Sequence, residues 1–176
     1  PRSSDSYYRV TAVVGVRGFS TALPYEKSAF RFGALAAELQ FAENVKDEQR
    51  AKKTAALITE GLKQADIVLP SGDDPLPEEK LNTAIENFVK GKKLDDFYQF
   101  GQWVGSLHMA LLSTRDGHMD AASELLGRES QAGYFLDMMK KKDMPPGIIN
   151  NLRKLERMKN KSAFTDRDVK DAIGCL

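Results

Sequence analysis

Apolar residues recur every three or four positions along most of this chain, as on the buried face of an amphipathic helix. Residues 7–16 are rich in β-branched side chains, which favour a strand, but no second strand is predicted to pair with them. We therefore interpret 7–16 as a helix. The pattern predicts further helices over 24–44, 47–65, 77–90, 94–113, 119–142, 147–160 and a short one after Thr165, its expected N-cap. The predicted fold class is all-α, a helical bundle of about seven to eight helices.

Two of these predicted helices resemble each other. Residues 30–42 and 98–110 align without gaps at an offset of 68 residues, with four identities where average composition gives about one. The same offset aligns Pro77 with Pro145. We interpret this as an internal duplication of a helical unit, and a chance likeness between two apolar helices is the alternative.

The predicted domain organisation follows from this repeat. A length of 176 residues suits one domain. We expect a single helical domain over 1–176, made of an N-terminal segment 1–23, a first helical unit 24–91, a second helical unit 92–161 and a C-terminal helix 162–176.

Both aligned helices carry small residues one turn apart. Gly33 and Ala37 in the first correspond to Gly101 and Gly105 in the second. Residues at i and i+4 share one helix face, and missing side chains there allow two backbones to approach closely. The sequence predicts that the two helices cross at these four residues.

Composition narrows the class of protein. Apolar residues make up 41% of the chain and charged residues 29%, which is typical of a globular protein. No apolar run approaches the ~20 residues of a membrane span. A single cysteine, Cys175, excludes an internal disulfide. The first residue is Pro1 rather than Met, which favours an exported protein slightly but leaves the compartment open.

Catalytic and metal-binding patterns are not found in the sequence. His108 and His118 lie ten positions apart, which is not a metal-ligand spacing, so no metal site is predicted. Haem ligation by His108 is the alternative to a core-edge histidine, and we favour the latter, with no cofactor. Ser106 lies in mid-helix and no nucleophile-elbow motif occurs. We expect a protein that is not an enzyme.

Polar residues on the predicted helices suggest one candidate pocket. Gln40 and His108 occupy equivalent positions in the two repeats, near Trp103, the only tryptophan. They could line a small pocket between the repeats, or they could hydrogen-bond each other or a backbone carbonyl, which we favour. By contrast, Glu38 is assigned to the solvated edge of the first helix and Arg50 to the exposed side of the second.

One segment is strongly basic. Residues 140–161 contain eight Lys and Arg against two acidic residues, although the whole chain has a net charge of +1. This segment predicts either a polyanion-binding surface or merely a solvated helix face. Nucleic acid is disfavoured because no aromatic residues interleave the cations. The candidate basic residues are Lys140, Lys141, Lys142, Arg153, Lys154 and Arg157.

These observations favour a non-enzymatic binding or scaffolding protein whose partner is an unknown protein or small ligand. The alternatives are a small-ligand sensor with a pocket between the repeats and a polyanion-binding module through 140–161. An oligomer is compatible with the sequence.

Overall fold

A computed structural model describes residues 24–69, 76–113, 131–159 and 165–175. These residues form seven α-helices and no strand, which confirms the predicted all-α fold. None of these helices is both long and apolar enough to cross a membrane. The helices are α1 Pro24–Asn44, α2 Glu48–Gln64, α3 Glu78–Lys92, α4 Asp95–Ser113, α5 Gln131–Lys141, α6 Pro146–Met158 and α7 Asp166–Ile173.

The predicted helices agree with these bounds to within one or two residues, apart from one. Helix α5 begins at Gln131, and residues 119–130 of the predicted helix 119–142 lie outside the described residues. The predicted helix 7–16 and His118 lie outside them as well.

Four helices end in the same way, on a non-glycine residue with left-handed backbone geometry. At the end of α3, Lys93 has a φ of 58°. Its N–H donates to the carbonyl of Lys90 at 3.2 Å, and the next N–H, of Leu94, donates to Val89 at 2.9 Å. This pair of hydrogen bonds satisfies carbonyls that the helix end would otherwise leave open. The same arrangement ends α1 at Lys46, α2 at Asp66 and α5 at Asp143.

Polar side chains fix two of the helix starts. The Arg50 N–H donates to the Asp47 carboxylate at 3.0 Å and so caps α2. At α7 the Thr165 hydroxyl accepts from the Asp168 N–H, and the Thr165 N–H donates to the Asp168 carboxylate, a complete capping box. The prediction of Thr165 as an N-cap is confirmed.

The described chain divides into two compact units, residues 24–106 and residues 107–175. In the first unit the ring of Phe32 on α1 meets Phe88 of α3 edge-on, with centroids 5.7 Å apart. The same ring lies against Gly61 of α2, so Phe32 joins three helices. Other fully buried core residues here are Ile58, Leu62, Leu81 and Ile85.

Helices α1 and α4 make contact through glycine, backbone against backbone. A methyl group on Gly33 would overlap the carbonyl oxygen of Tyr98, and one on Gly101 would overlap the carbonyl oxygen of Phe30. One turn further, a methyl on Gly105 would lie 2.7 Å from the Ala34 oxygen and 3.1 Å from the Ala37 Cβ. We call these contacts the glycine seam.

Contacts along the glycine seam form a symmetric pattern. Gly33 faces Tyr98 and Gln102, while Gly101 faces Phe30 and Ala34. Adding 68 to Phe30, Gly33 and Ala34 gives Tyr98, Gly101 and Gln102, so each glycine meets the equivalents of the other's neighbours. The duplication itself stays a prediction.

In the second unit α5 and α6 pack as a helical hairpin, and α7 contacts α6. The buried face of α6 consists of Ile148, Ile149, Leu152 and Leu155. Helix α5 contributes Phe135, Leu136, Met138 and Met139 to the same core.

Candidate functional site

The hairpin of α5 and α6 carries all six of the predicted basic residues, and its turn is structurally well defined. The Met144 N–H donates to Met139 across the end of α5 at 3.1 Å, and Asp143 has a φ of 52°. Pro145 is then the N-cap of α6 and Pro146 its first residue, where proline has no N–H to leave unpaired. The turn therefore holds the two helices side by side.

The basic side chains lie on the outside of this hairpin. Arg153, Lys154 and Arg157 are exposed, on the side of α6 opposite its buried stripe. Lys140, Lys141 and Lys142 are exposed at the end of α5. We call these six residues the basic face.

Few carboxylates neutralise the α6 part of the basic face. The Arg153 guanidinium donates to the Asn150 side-chain oxygen at 3.2 Å. Glu156, the only acidic residue of α6, lies 3.7 Å from Lys159. In the described part of the chain, no ion pair joins Lys154 or Arg157 to a carboxylate. The positive charge of this helix is thus available to a partner.

The lysines at the end of α5 also have a structural role. Lys140 pairs with Asp137 one turn earlier, at 3.1 Å. Cations in the last turn also stabilise the negative end of the helix dipole. Lys140 and Lys141 therefore contribute to the stability of α5 as well as to its surface charge.

Tyr134 is an aromatic residue that the sequence analysis did not single out. Its side chain on α5 is 52% exposed, and its ring meets Phe135 edge-on with centroids 5.2 Å apart. Tyr134 therefore presents an aromatic ring to solvent, and the next residue, Phe135, is buried and anchors the helix. An alternation of this kind within a helix was not evident from the apolar spacing.

The structure places the predicted pocket residues in different environments. Trp103 and His108 are buried, but the Gln40 side chain is exposed. An exposed Gln40 gives no support to a pocket that encloses it. The small-ligand sensor stays a prediction without a structural observation in its favour.

The environment of Glu38 differs from the predicted one. Predicted to be solvated, Glu38 is only 1% exposed, and its carboxylate lies 4.0 Å from the Arg50 guanidinium of α2. Arg50 was expected to be exposed too, yet only 14% of its side chain is. It also lies over the Phe41 ring, 5.9 Å from the centroid. The two charges therefore pair inside the first unit, between α1 and α2.

A signal for the burial of Glu38 was present in the sequence. Glu38 follows Leu35 by three residues, so it lies on the buried side of α1. On α2, Thr54 lies one turn after Arg50 and is fully buried, which places Arg50 beside the buried face of that helix. The predicted exposure of Glu38 is wrong because its helical position puts it on the buried side of α1, where Arg50 pairs with its charge.

A shallow groove lies on the outer side of α3 in the first unit. It has a volume of about 380 Å³ and is lined by Val68, Glu79, Lys80, Thr83, Ala84 and Asn87. Val68 is 95% exposed at its rim. The mixed lining has no concentration of one charge or of apolar surface, so it points to no particular ligand.

Among the described residues, burial and neighbouring charges shift the pKa of Glu43, Tyr98 and Cys175. Partial burial, then a hydrogen bond and repulsion from Glu78, raise the pKa of the otherwise largely exposed Glu43. Burial and then Glu86 raise the pKa of Tyr98, and burial raises that of the Cys175 thiol, with Lys154 opposing it. A buried thiol with a raised pKa is a poor nucleophile.

Metal ligands do not cluster among the described residues: no three His, Cys, Asp or Glu side chains converge there. His108 is buried, and His118 lies outside the described ranges.

Comparison with known proteins assigns no family. No family model matches the chain, and no curated protein or solved structure shows significant similarity to it. Any functional statement therefore depends on the residues themselves.

Proposed function

We propose that this chain is a non-enzymatic binding protein and that it binds an acidic partner through the basic face of α5 and α6. The observation that carries the proposal is the exposed group of Arg153, Lys154 and Arg157 on α6. Their side chains are neighbours, and the helix supplies no acidic residue to pair with Lys154 or Arg157.

Helix energetics support a role beyond solubility. Arg153 and Arg157 lie at i and i+4, where like charges destabilise a helix by about 0.2–0.5 kcal/mol. Exposed helices usually relieve this cost with a Glu one turn before a cation. Here the cost is left in place, and a bound anion would remove it.

The helix dipole explains only part of this charge. Cations stabilise a helix within its last turn, which accounts for Arg157 and Lys159 near the end of α6. Arg153 lies more than a turn from that end, where the effect has decayed. Its exposed charge is better explained by a partner.

Retention on immobilised heparin at ~150 mM salt tests the proposal, because only a substantial cationic surface binds a polyanion under that screening. We expect the unmodified protein to be retained and Arg153→Gln/Arg157→Gln to elute earlier. The matched control is Lys52→Gln/Lys63→Gln, which removes the same charge from exposed positions of α2. Elution of the unmodified protein in the void volume, or equal effects of both double variants, would contradict the proposal.

A further inference from the structure

We infer that the partner of the basic face is a carboxylate-rich segment of another protein, which also packs an apolar side chain on Tyr134. This inference depends on the proposed function, because it names the kind of acidic partner that the basic face binds. Three features of the hairpin favour a protein segment over nucleic acid.

The first feature is the position of Tyr134 relative to the cations. Tyr134 lies seven residues before the end of α5, and Arg153 lies seven residues after the start of α6. At 1.5 Å per residue both are about 10 Å from the turn, so they lie at the same level of the hairpin. A partner that reaches Arg153 is therefore at the right height to reach Tyr134.

The second feature is the chemistry of these two residue types. Tyr and Arg, together with Trp, are the side chains enriched among residues that dominate binding energy at protein–protein interfaces. The Arg guanidinium matches a carboxylate with two parallel hydrogen bonds. Arg153 and Arg157, one turn apart, have the spacing of two acidic residues one turn apart on a partner helix.

The third feature is the presence of carboxylates among the cations. Asp137 is exposed one turn after Tyr134, and Asp143 is exposed in the turn of the hairpin. A continuous phosphate backbone would be repelled by these groups, whereas a protein can present Lys or Arg to them. In addition, single-stranded nucleic acid binds through successive stacked aromatics, and on the described part of this hairpin only Tyr134 is an exposed aromatic residue.

The test compares the binding of two labelled probes by fluorescence anisotropy at ~100 mM salt, where the Debye length is about 10 Å. One is a peptide of repeated Glu-Glu-Leu-Lys, whose lysines can meet Asp137 and Asp143, and the other is an oligothymidylate of equal net charge. We expect the peptide to bind at least about tenfold more tightly than the oligonucleotide, a difference of ~1.4 kcal/mol. Circular dichroism establishes that each variant is folded.

Two variants separate the contributions of charge and of the aromatic ring. Arg153→Gln/Arg157→Gln should weaken peptide binding about tenfold or more, as expected for the loss of two interface arginines. Tyr134→Ala should weaken peptide binding about fivefold while leaving heparin retention unchanged, because the ring carries no charge. The matched control for Tyr134 is Tyr25→Ala, an exposed tyrosine of the first unit, which should leave both unchanged.

The outcomes distinguish the two proposals. If the protein binds heparin and oligothymidylate but the peptide no better, or if Tyr134→Ala leaves peptide binding unchanged, the inference of a protein partner is wrong and the basic face remains a polyanion site. If heparin, oligonucleotide and peptide all fail to bind, both the inference and the proposed function are wrong.

Discussion

Gly101 lies so close to the carbonyl oxygen of Phe30 that a single methyl group at Gly101 would overlap that oxygen. The atom that would clash belongs to the backbone rather than to a flexible side chain, so no rotamer change can relieve the clash. The two helices must separate if any side chain is introduced.

Gly101→Ala should therefore destabilise the protein by about 2–3 kcal/mol, even though Ala is the better helix former by ~1 kcal/mol. Urea denaturation of the purified variant measures this. Gly91→Ala is the matched control, since a Cβ at Gly91 of α3 meets nothing within 4 Å, and it should stabilise by up to about 1 kcal/mol. Equal stabilities of the two variants would show that α1 and α4 do not make the glycine seam.

Removing the cation beside Glu38 should also destabilise the first unit. Arg50→Met leaves the buried carboxylate without its guanidinium, at an expected cost of about 2–4 kcal/mol. Adding Glu38→Gln should recover part of that loss, because a neutral amide costs less to bury. Lys52→Met, on the exposed side of the same helix, should change the free energy of unfolding by less than about 0.5 kcal/mol. If Glu38→Gln deepens the loss instead, the interpretation of a buried charge pair is wrong.

Replacing Lys93 with glycine should stabilise the protein. The left-handed φ of 58° at Lys93 costs an L-residue roughly 1–2 kcal/mol, and glycine avoids this cost. Part of the gain is cancelled because glycine loses more conformational entropy on folding. Lys93→Gly should thus stabilise by about 0.5–1 kcal/mol in thermal or urea unfolding. Lys52→Gly, in the second turn of α2, should have the opposite sign with a cost of ~1 kcal/mol. A loss at both positions would mean that the end of α3 is not built as described.

The raised pKa of Glu43 predicts a pH dependence. A carboxyl whose pKa is higher in the folded state holds its proton more tightly there, so stability falls as pH rises from the ordinary value of 4.5 through the folded value. Glu43→Gln removes this loss and should raise the melting temperature at pH 7 by at most about 2 °C, since the group is well solvated.

The advantage of Glu43→Gln should vanish near pH 3, below the ordinary pKa of 4.5, where Glu43 is protonated in both states. Glu60→Gln on α2 is the control, because the carboxylate of Glu60 only accepts a hydrogen bond from Gln64, which an amide can replace. A gain for Glu43→Gln that is the same at both pH values would rule out repulsion by Glu78 as its cause.

Helix positions were predictable because the apolar period is a local signal. The bounds of α1 agree with the predicted 24–44, and Thr165 caps α7 as expected. The ends of α2 and α3 differ by one or two residues. Their left-handed terminal residues are Asp66 and Lys93, so the glycine that usually marks such an end was missing.

Tertiary pairing was harder to predict. Glu38 finds Arg50 on another helix, and no local rule indicates that a charge on a buried face has a matching charge twelve residues away. Gly33 and Gly101 were conspicuous in the sequence because a glycine inside a helix is unfavourable. A close contact with a neighbouring helix compensates for that cost. The partner of the basic face was beyond prediction, since charge on one surface does not identify what lies against it.

The glycine seam has a consequence for tracing the ancestry of this chain. Any homologue that keeps α1 packed against α4 must keep glycine at 33 and at 101. Gly91 and Gly147 can be substituted without a steric clash. Two glycines 68 positions apart, each embedded in an apolar helix, therefore form a register mark that outlasts overall sequence identity. Homologues too diverged to be aligned along their whole length could still be recognised by that mark.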